Sequence, residues 1–201
     1  MARTAQFLGR RARRRKGASA VLPPLLFFTD PARTPDPEAV AANLPRGAAV
    51  VFRAFGAPNA EAQGARLKAI ARRRGLLLLI GADADLARAL GADGVHLPER
   101  LAHRARRVKA AHPRWIVTAA AHSTAAARRA LAAGADAVVV STVFASRSAS
   151  AGRPMGALRL AILVRRAGGA VYGLGGIDMK KARLLKGTGL TGIAAVDGLR
   201  T

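Results

Sequence analysis

The sequence of 201 residues contains no cysteine. This absence excludes disulfide bonds, thiolate metal sites and a cysteine nucleophile, and it gives no sign of an oxidising compartment, so we expect a cytoplasmic protein. Long apolar runs are also missing. The stretch from Val21 to Phe28 is interrupted by proline and falls short of the ~18 residues needed to cross a bilayer, so we expect no membrane association.

Aromatic residues make up only 4% of the chain, whereas hydrophobic residues make up 51%. The core must therefore be built from Ala, Leu, Val and Ile, as in parallel sheets that are covered by helices. The length allows one sizeable core. These features favour a single α/β domain over an aromatic-rich β-sandwich.

Acidic residues are few, 11 against 34 Lys and Arg, which gives a formal net charge of +23. Such a charge favours nucleic acid or another anionic surface, because neutralised phosphates release counterions. The arginines, however, are spread over helical positions among many alanines. We interpret most of them as solvated helix faces and expect an anionic small molecule, not nucleic acid, as the partner. A basic barrel that associates with RNA is the alternative.

Residues 1–20 differ from the rest of the chain in charge. Six basic residues lie between Arg10 and Lys16, and no acidic residue precedes Asp30. An Arg-rich start resembles an import or twin-Arg signal, but no continuous apolar region follows it. We expect residues 1–20 to be a short basic N-terminal extension and residues 21–201 to form the domain.

Short apolar runs alternate with stretches of helical period from Leu25 onward, the pattern of repeated βα units. The predicted strands are Leu25 to Phe28, Ala49 to Arg53, Leu76 to Ile80, Gly94 to Leu97, Trp115 to Ala119, Ala137 to Val140, Ala170 to Gly173 and Ile193 to Val196. The predicted helices are Pro37 to Asn43, Ala60 to Arg74, Asp83 to Leu90, Leu101 to Ala111, Ser123 to Ala132, Met155 to Arg166 and Met179 to Leu185.

Two joints between helix and strand are nearly identical, Ala89 to Val95 and Ala132 to Val138. Each predicts a helix end with glycine in the left-handed position, followed by a tight turn into a buried strand. Eight repeated βα units predict a single (β/α)8 TIM barrel. Because only five residues follow the last predicted strand, we expect the last helix to be truncated.

Catalytic groups of such barrels lie at the C-terminal ends of the strands, and phosphate commonly binds after strands seven and eight. The segment Gly173 to Ile177 follows the seventh strand, and its glycines allow backbone N–H groups to approach an anion. Gly175 and Gly176, with Gly198 after the eighth strand, are therefore candidate phosphate-binding residues. An ordinary glycine-rich loop is the alternative.

Several segments resemble a known family. They are Phe28-Thr29-Asp30, Gly91 to Leu97, Ala121-His122-Ser123, Gly134 to Val138 and Gly173 to Ile177. Their order and spacing are similar to those of thiamine phosphate synthases and thiazole tautomerases, over about Leu25 to Leu199.

The resemblance implies a barrel that joins a pyrimidine methyl diphosphate to a thiazole phosphate. Diphosphate departs first, and the thiazole nitrogen captures the pyrimidine carbocation that remains. This step uses Mg²⁺ and cationic side chains to stabilise the leaving diphosphate. Both substrates are anionic, which agrees with the charge of the chain.

The chain departs from the family pattern at the metal site. The positions of the two magnesium ligands hold Ala82 and Leu101, neither of which has a side-chain oxygen. We therefore assign no metal ligands, although the family implies Mg²⁺. Two family lysines are replaced by Phe55 and Ala149, so that condensation is expected to be weak.

After the sixth strand, where the family carries Thr-x-Thr-Lys, this chain has two serine hydroxyl groups in place of the threonines. Ser146 and Ser148 are assigned to phosphate binding and Arg147 to substrate binding. The expected serine after the eighth strand is replaced by Asp197, whose carboxylate would repel a phosphate.

Three further residues complete the candidate site. His122 aligns with the turn in which the tautomerase branch places an acid/base histidine, and capping of a helix is the alternative. Arg53, kept after the second strand, is assigned to catalysis and anion contact, with a structural salt bridge as the alternative. His96 is assigned to substrate binding, although a packed barrel histidine fits equally well. An isomerase that uses His122 and a non-catalytic binding barrel are the alternatives to a synthase, and a homo-oligomer is left open.

Overall fold

A computed structural model describes residues 21–146 and 152–197. Eight parallel strands close into a barrel in which each strand pairs with its sequence neighbours and β1 also pairs with β8. The strands are β1 (Leu25–Phe28), β2 (Ala49–Phe52), β3 (Leu77–Gly81), β4 (Gly94–Leu97), β5 (Ile116–Ala121), β6 (Ala137–Val140), β7 (Ala170–Leu174) and β8 (Gly192–Ala195). The predicted TIM barrel is confirmed.

Helices lie between successive strands. They are α1 (Pro37–Ala42), α2 (Ala60–Arg74), α3 (Ala84–Ala89), α4 (Ala105–Ala111), α5 (Thr124–Ala132), α6 (Gly156–Ala167) and α7 (Met179–Leu184), with a 3₁₀ helix at Glu99–Arg104. Within residues 21–146 and 152–197, no helix is long and apolar enough to span a bilayer. The extension 1–20 and the expected truncation of the last helix fall outside the described residues.

The predicted bounds of β1, β4 and β6 are those of the structure, and the other five strands differ by one or two residues at one or both ends. The larger difference concerns the predicted helix Leu101 to Ala111, which divides into the 3₁₀ helix and α4. Tighter 3₁₀ turns are common at helix starts. The fifth strand also extends to Ala121, since small alanine side chains continue its buried pattern.

The core has two layers, which follow from the alternation of side chains along each strand. Leu26 and Phe28 of β1 point into the barrel, where they join a cluster with Val51, Val139 and Tyr172. Their neighbours Leu25 and Phe27 pack instead in the larger cluster between strands and helices. The strands are therefore buried on both faces, as the nearly continuous apolar runs predicted.

Tyr172 closes the interior at the N-terminal end of the strands. Its hydroxyl donates a hydrogen bond to the Pro23 carbonyl oxygen at 2.6 Å, and burial raises the pKa of the phenol. A Cβ at Gly192 would overlap the Pro24 carbonyl oxygen and the Tyr172 ring. Glycine at 192 is therefore required by the tyrosine that fills the barrel.

The two repeated joints have the same hydrogen bonds, which confirms one repeated unit. The Asp93 carboxylate accepts from the Leu78 N–H at 2.8 Å and from Lys68 Nζ at 3.0 Å. The Asp136 carboxylate accepts from the Val117 N–H at 2.8 Å and from Lys109 Nζ at 3.1 Å. Each aspartate thus joins the start of its own strand to the preceding strand and to the helix that leads into that preceding strand.

We expect Asp136→Ala to lower the free energy of unfolding by about 1–3 kcal/mol, because it leaves the buried Val117 N–H without its acceptor. Urea unfolding at pH 7 measures this change. The control is Asp85→Ala, whose carboxylate is almost fully exposed and should change stability by about 0.5 kcal/mol or less. Equal effects of the two substitutions would contradict the assigned role of Asp136.

Candidate functional site at the barrel mouth

A polar pocket, here called the mouth pocket, lies at the C-terminal ends of β1, β2, β6, β7 and β8. It is lined by Asp30, Arg33, Arg53, Ser141, Thr142, Ser146, Leu174, Gly175, Gly176, Ile177, Ala194, Ala195, Val196 and Asp197. Four predicted site residues are brought together here, namely Arg53, Ser146, Gly175 and Gly176. Arg147, Ser148 and Gly198 lie outside the described residues, so their roles stay predictions.

Arg53 leaves the end of β2 and is held from three sides. Its Nε donates to the Thr29 carbonyl oxygen at 2.7 Å, and its Nη2 donates to Asp30 Oδ2 at 3.2 Å. Its guanidinium carbon lies 5.0 Å from the centre of the Phe55 ring and 5.7 Å from that of Phe28. Burial lowers the pKa of Arg53, and Asp30 opposes this shift. Arg53 therefore lines the pocket and makes the structural salt bridge as well.

A second ion pair lies across the pocket. Arg33 Nη2 donates to Asp197 Oδ2 at 2.7 Å, and the Thr34 hydroxyl donates to the Val196 carbonyl oxygen at 3.0 Å. The negative charge of Asp197, expected to repel phosphate, is thus partnered by an arginine. Sequence reasoning missed Arg33, although its position directly after the first strand placed it at the mouth.

The glycine loop after β7 packs against the loop after β6. The Val143 and Phe144 N–H groups donate to the Leu174 and Gly175 carbonyl oxygens, both at 3.0 Å. Gly176 has φ of 63°, and a Cβ there would overlap the Ala145 carbonyl oxygen. Glycine is therefore needed to bring the two loops together, which keeps backbone groups of both at the pocket wall.

His96 lies inside the barrel at the end of β4. Its ring meets the Phe28 ring edge to face, with centroids 4.8 Å apart, and its Nδ1 is 2.9 Å from the Thr118 hydroxyl. Burial, with a smaller contribution from Arg53, lowers the pKa of His96 to about 3. The ring is therefore neutral near pH 7, and His96 does not line the mouth pocket.

His122 follows β5, across the barrel from β1. Its backbone N–H donates to Glu99 Oε2 at 2.8 Å, and its Nδ1 lies 2.7 Å from the same oxygen. The side chain is 60% exposed and is not part of the mouth pocket. The helix cap at this turn is provided by Ser123, whose hydroxyl accepts from the Ala126 N–H. No local pattern indicates the role of Glu99, because its partner lies 23 residues away in the chain.

Metal ligands are not grouped at the mouth. In the part of the chain that the structure describes, His, Asp and Glu side chains form no group of three or more that could hold a metal ion. Ala82, at the position of a family magnesium ligand, has φ of 62°, and its N–H donates to the His96 carbonyl oxygen at 2.8 Å. The described residues therefore do not fit the Mg²⁺ that the family implies.

The lowered pKa of His96 makes stability depend on pH. We expect the free energy of unfolding to fall as the pH drops from about 6.5 toward 3, and His96 contributes at most ~1.4 kcal/mol per pH unit to this fall. In that window an unfolded histidine binds a proton and the buried His96 does not. Urea unfolding at pH 7, 6 and 5 measures the fall, which His96→Gln should reduce. The control His103→Gln, at an exposed position, should retain it. The same pH dependence in both variants would contradict the assignment to His96.

Known proteins are similar to this chain in sequence and in fold. The profile of a family described as thiamine monophosphate synthase matches residues 25–199. The thiamine-phosphate synthase of Pyrococcus furiosus is 31% identical over 179 residues, which are 87% of this chain and 86% of that protein. That of Roseiflexus sp. is 33% identical over 141 residues, which are 69% of this chain and 59% of that protein.

The likeness extends to a solved structure. The thiamine phosphate pyrophosphorylase from Pyrococcus furiosus matches with a TM-score of 0.72 and 28% identity, over 87% of this chain and 85% of that chain. The sequence resemblance, the closed barrel and the profile match agree. The chain belongs to the thiamine monophosphate synthase family.

Proposed function

We propose that this protein acts in thiamine biosynthesis as a synthase-like enzyme, which binds a thiazole phosphate and a pyrimidine methyl diphosphate at the barrel mouth and joins them. The observation that carries the proposal is the mouth pocket, which is lined by Arg33 and Arg53 and by Gly175 and Gly176 of the loop after β7. Both substrates are anionic and need cationic and N–H donors. Family membership supplies the reaction class.

The thiazole phosphate is assigned to the glycine loop. Gly175 and Gly176 line the pocket and both have positive φ, a backbone conformation in which successive N–H groups can face one anion. Arg33 contributes a cation while partnered by Asp197. Ser146, also in the pocket wall, adds a hydroxyl.

The pyrimidine diphosphate is assigned to Arg53 and the neighbouring Phe55. The Phe55 ring is exposed and offers an apolar face to an aromatic substrate, while Arg53 offers guanidinium donors beside it. Arginine binds the diphosphate group of the bound substrate about as well as the diphosphate that is leaving in the transition state. Such uniform binding does not accelerate the loss of diphosphate. Without a fitted metal site, this chain's residues therefore orient the reactants more than they stabilise the leaving group.

We expect slow condensation that responds little to Mg²⁺, compared with a family member that carries both aspartate ligands. Product formation from the two substrates, with Mg²⁺ or with EDTA, measures this. Arg53→Gln should lower kcat/KM roughly tenfold or more, since a charge-assisted contact contributes about 1.5–3 kcal/mol. Arg100→Gln, an exposed charge-matched control, should leave it unchanged. Condensation at the full family rate would contradict this proposal.

Isomerisation of a thiazole carboxylate phosphate is the second candidate function, and the His122–Glu99 pair favours it. Glu99 Oε2 holds both the backbone N–H and Nδ1 of His122, which fixes the ring and leaves Nε2 for proton transfer. A carboxylate that orients an imidazole in this way is a common acid/base arrangement. The reaction needs no metal ion, which agrees with the metal positions of this chain.

We expect isomerase activity, if the enzyme has it, to be insensitive to EDTA and to fall about 100-fold or more in His122→Ala, because proton transfer is lost. Glu99→Gln should retain part of that activity, since an amide oxygen still accepts from Nδ1–H. Arg100→Gln serves again as the control. Phosphate binding with neither activity would identify a non-catalytic binding barrel, and isomerisation that survives His122→Ala would contradict the role of His122.

The cytoplasmic location and the homo-oligomer stay proposals. A chain without cysteine suits a reducing compartment, in which thiamine precursors would be joined.

A further inference from the structure

Acidic side chains are concentrated at one end of the barrel. All strands are parallel, so the helices that connect them run in the reverse direction and end at the N-terminal end of the strands, here called the basal end. Nine of the 11 acidic residues lie after strands or in the first half of helices, at the mouth. They are Asp30, Asp36, Glu38, Glu61, Asp83, Asp85, Glu99, Asp178 and Asp197.

The two basal carboxylates are both paired with lysines. Asp93 lies 3.0 Å from Lys68 Nζ, and Asp136 lies 3.1 Å from Lys109 Nζ. No acidic residue among the 11 is left at the basal end to balance the arginines there.

Arginines gather at the basal end. Exposed arginines occupy the C-terminal turns of α2 and α6 and the turns before β2 and β5. We define the basal face by Arg46, Arg72, Arg73, Arg74, Arg114, Arg165 and Arg166. The extension 1–20, with its seven basic residues, precedes Val21, and residues 21–24 lead into β1 at this same end.

Neither the helix dipole nor the proposed substrates account for this face. A helix C-terminus favours one nearby cation by about 0.3–1 kcal/mol, but three consecutive arginines at the end of α2 also repel one another. Anionic substrates bind at the mouth, on the opposite side of the barrel. A small anion bound at the mouth therefore does not account for the basal arginines.

We propose that the basal face binds the phosphate backbone of double-helical nucleic acid. Its members are all arginine, whose planar guanidinium matches phosphate oxygens in pairs. Single-stranded nucleic acid would need exposed aromatic rings for base stacking, but the only tryptophan, Trp115, is half-buried and stacked on His112. This inference is independent of the proposed enzymatic function.

An anionic membrane fits the basal face less well. A helix or face that lies on a membrane carries apolar side chains beside its cations. Of the five exposed large apolar residues among those described, Phe55, Leu158 and Met179 lie toward the mouth, leaving Val21 and Leu184 at the basal end. Backbone phosphates of a duplex need charge alone.

The test is fluorescence anisotropy of the full chain with a labelled duplex of about 24 base pairs, as RNA and as DNA, between 50 and 200 mM salt. We expect affinity that falls steeply with salt. The triple substitution Arg72→Gln, Arg73→Gln and Arg74→Gln should weaken binding roughly tenfold or more and reduce the slope of log K against log salt by up to about three. Binding of either duplex in this manner supports the proposal.

The matched control is Arg100→Gln, Arg104→Gln and Arg159→Gln, which removes the same charge from exposed positions toward the mouth. It should bind the duplex like the unsubstituted chain. Equal weakening by both triple substitutions would show a general effect of net charge and overturn the proposal. Absence of duplex binding, or preferential binding to vesicles containing anionic lipid, would overturn it as well.

Discussion

The pairing of β1 with both β2 and β8 is the constraint on which the mouth pocket depends. The register places Phe28 beside Val51 and Leu26 beside Ala194, so the loop after β1 lies between the ends of the other two strands. Arg53 reaches Asp30 in that loop, and Arg33 of the same loop reaches Asp197, 164 residues away. The Arg53–Asp30 pair therefore depends on the pairing of β1 with β2, and the Arg33–Asp197 pair forms only when β8 closes the barrel against β1.

These ion pairs also set how an anion can bind. A guanidinium has five N–H donors, and the described contacts of Arg53 use Nε and Nη2. An anion can therefore share Arg53 with Asp30 without displacing the carboxylate. The pairs keep the arginines in place before substrate binds, which reduces the ordering cost, while the carboxylates weaken the positive potential of the pocket.

Much of the fold could be predicted from local sequence. Buried apolar runs gave the strands, and the twin joints with Asp93 and Asp136 gave the repeating unit, because both signals lie within a few neighbouring residues. The glycine loop after β7 was placed at the mouth by its position alone. These predictions required no knowledge of contacts between distant segments.

The partners of the site residues could not be predicted in this way. Arg53 has no acidic neighbour in sequence, and its partner Asp30 becomes adjacent only through the β1–β2 pairing. Glu99 reaches His122 only because β4 and β5 end side by side. Helical periodicity likewise shows that arginines are exposed but not that they meet at one end of a barrel. Contacts made by the tertiary fold, not by spacing, determine these features.

In the loop after β3, the backbone conformation at residue 82 does not match the side chain that the residue carries. Ala82 keeps a left-handed conformation with φ of 62° and a hydrogen bond to the His96 carbonyl oxygen, although alanine is disfavoured there relative to Asn, Asp or Gly. The family resemblance places a magnesium ligand at this residue. The backbone at residue 82 thus has a shape that suits an Asn or Asp side chain, whereas this chain has alanine there. The turn is instead held by the β3–β4 pairing, which reaches Gly81 and His96, so the backbone shape at residue 82 follows from the barrel and not from the side chain that stands there.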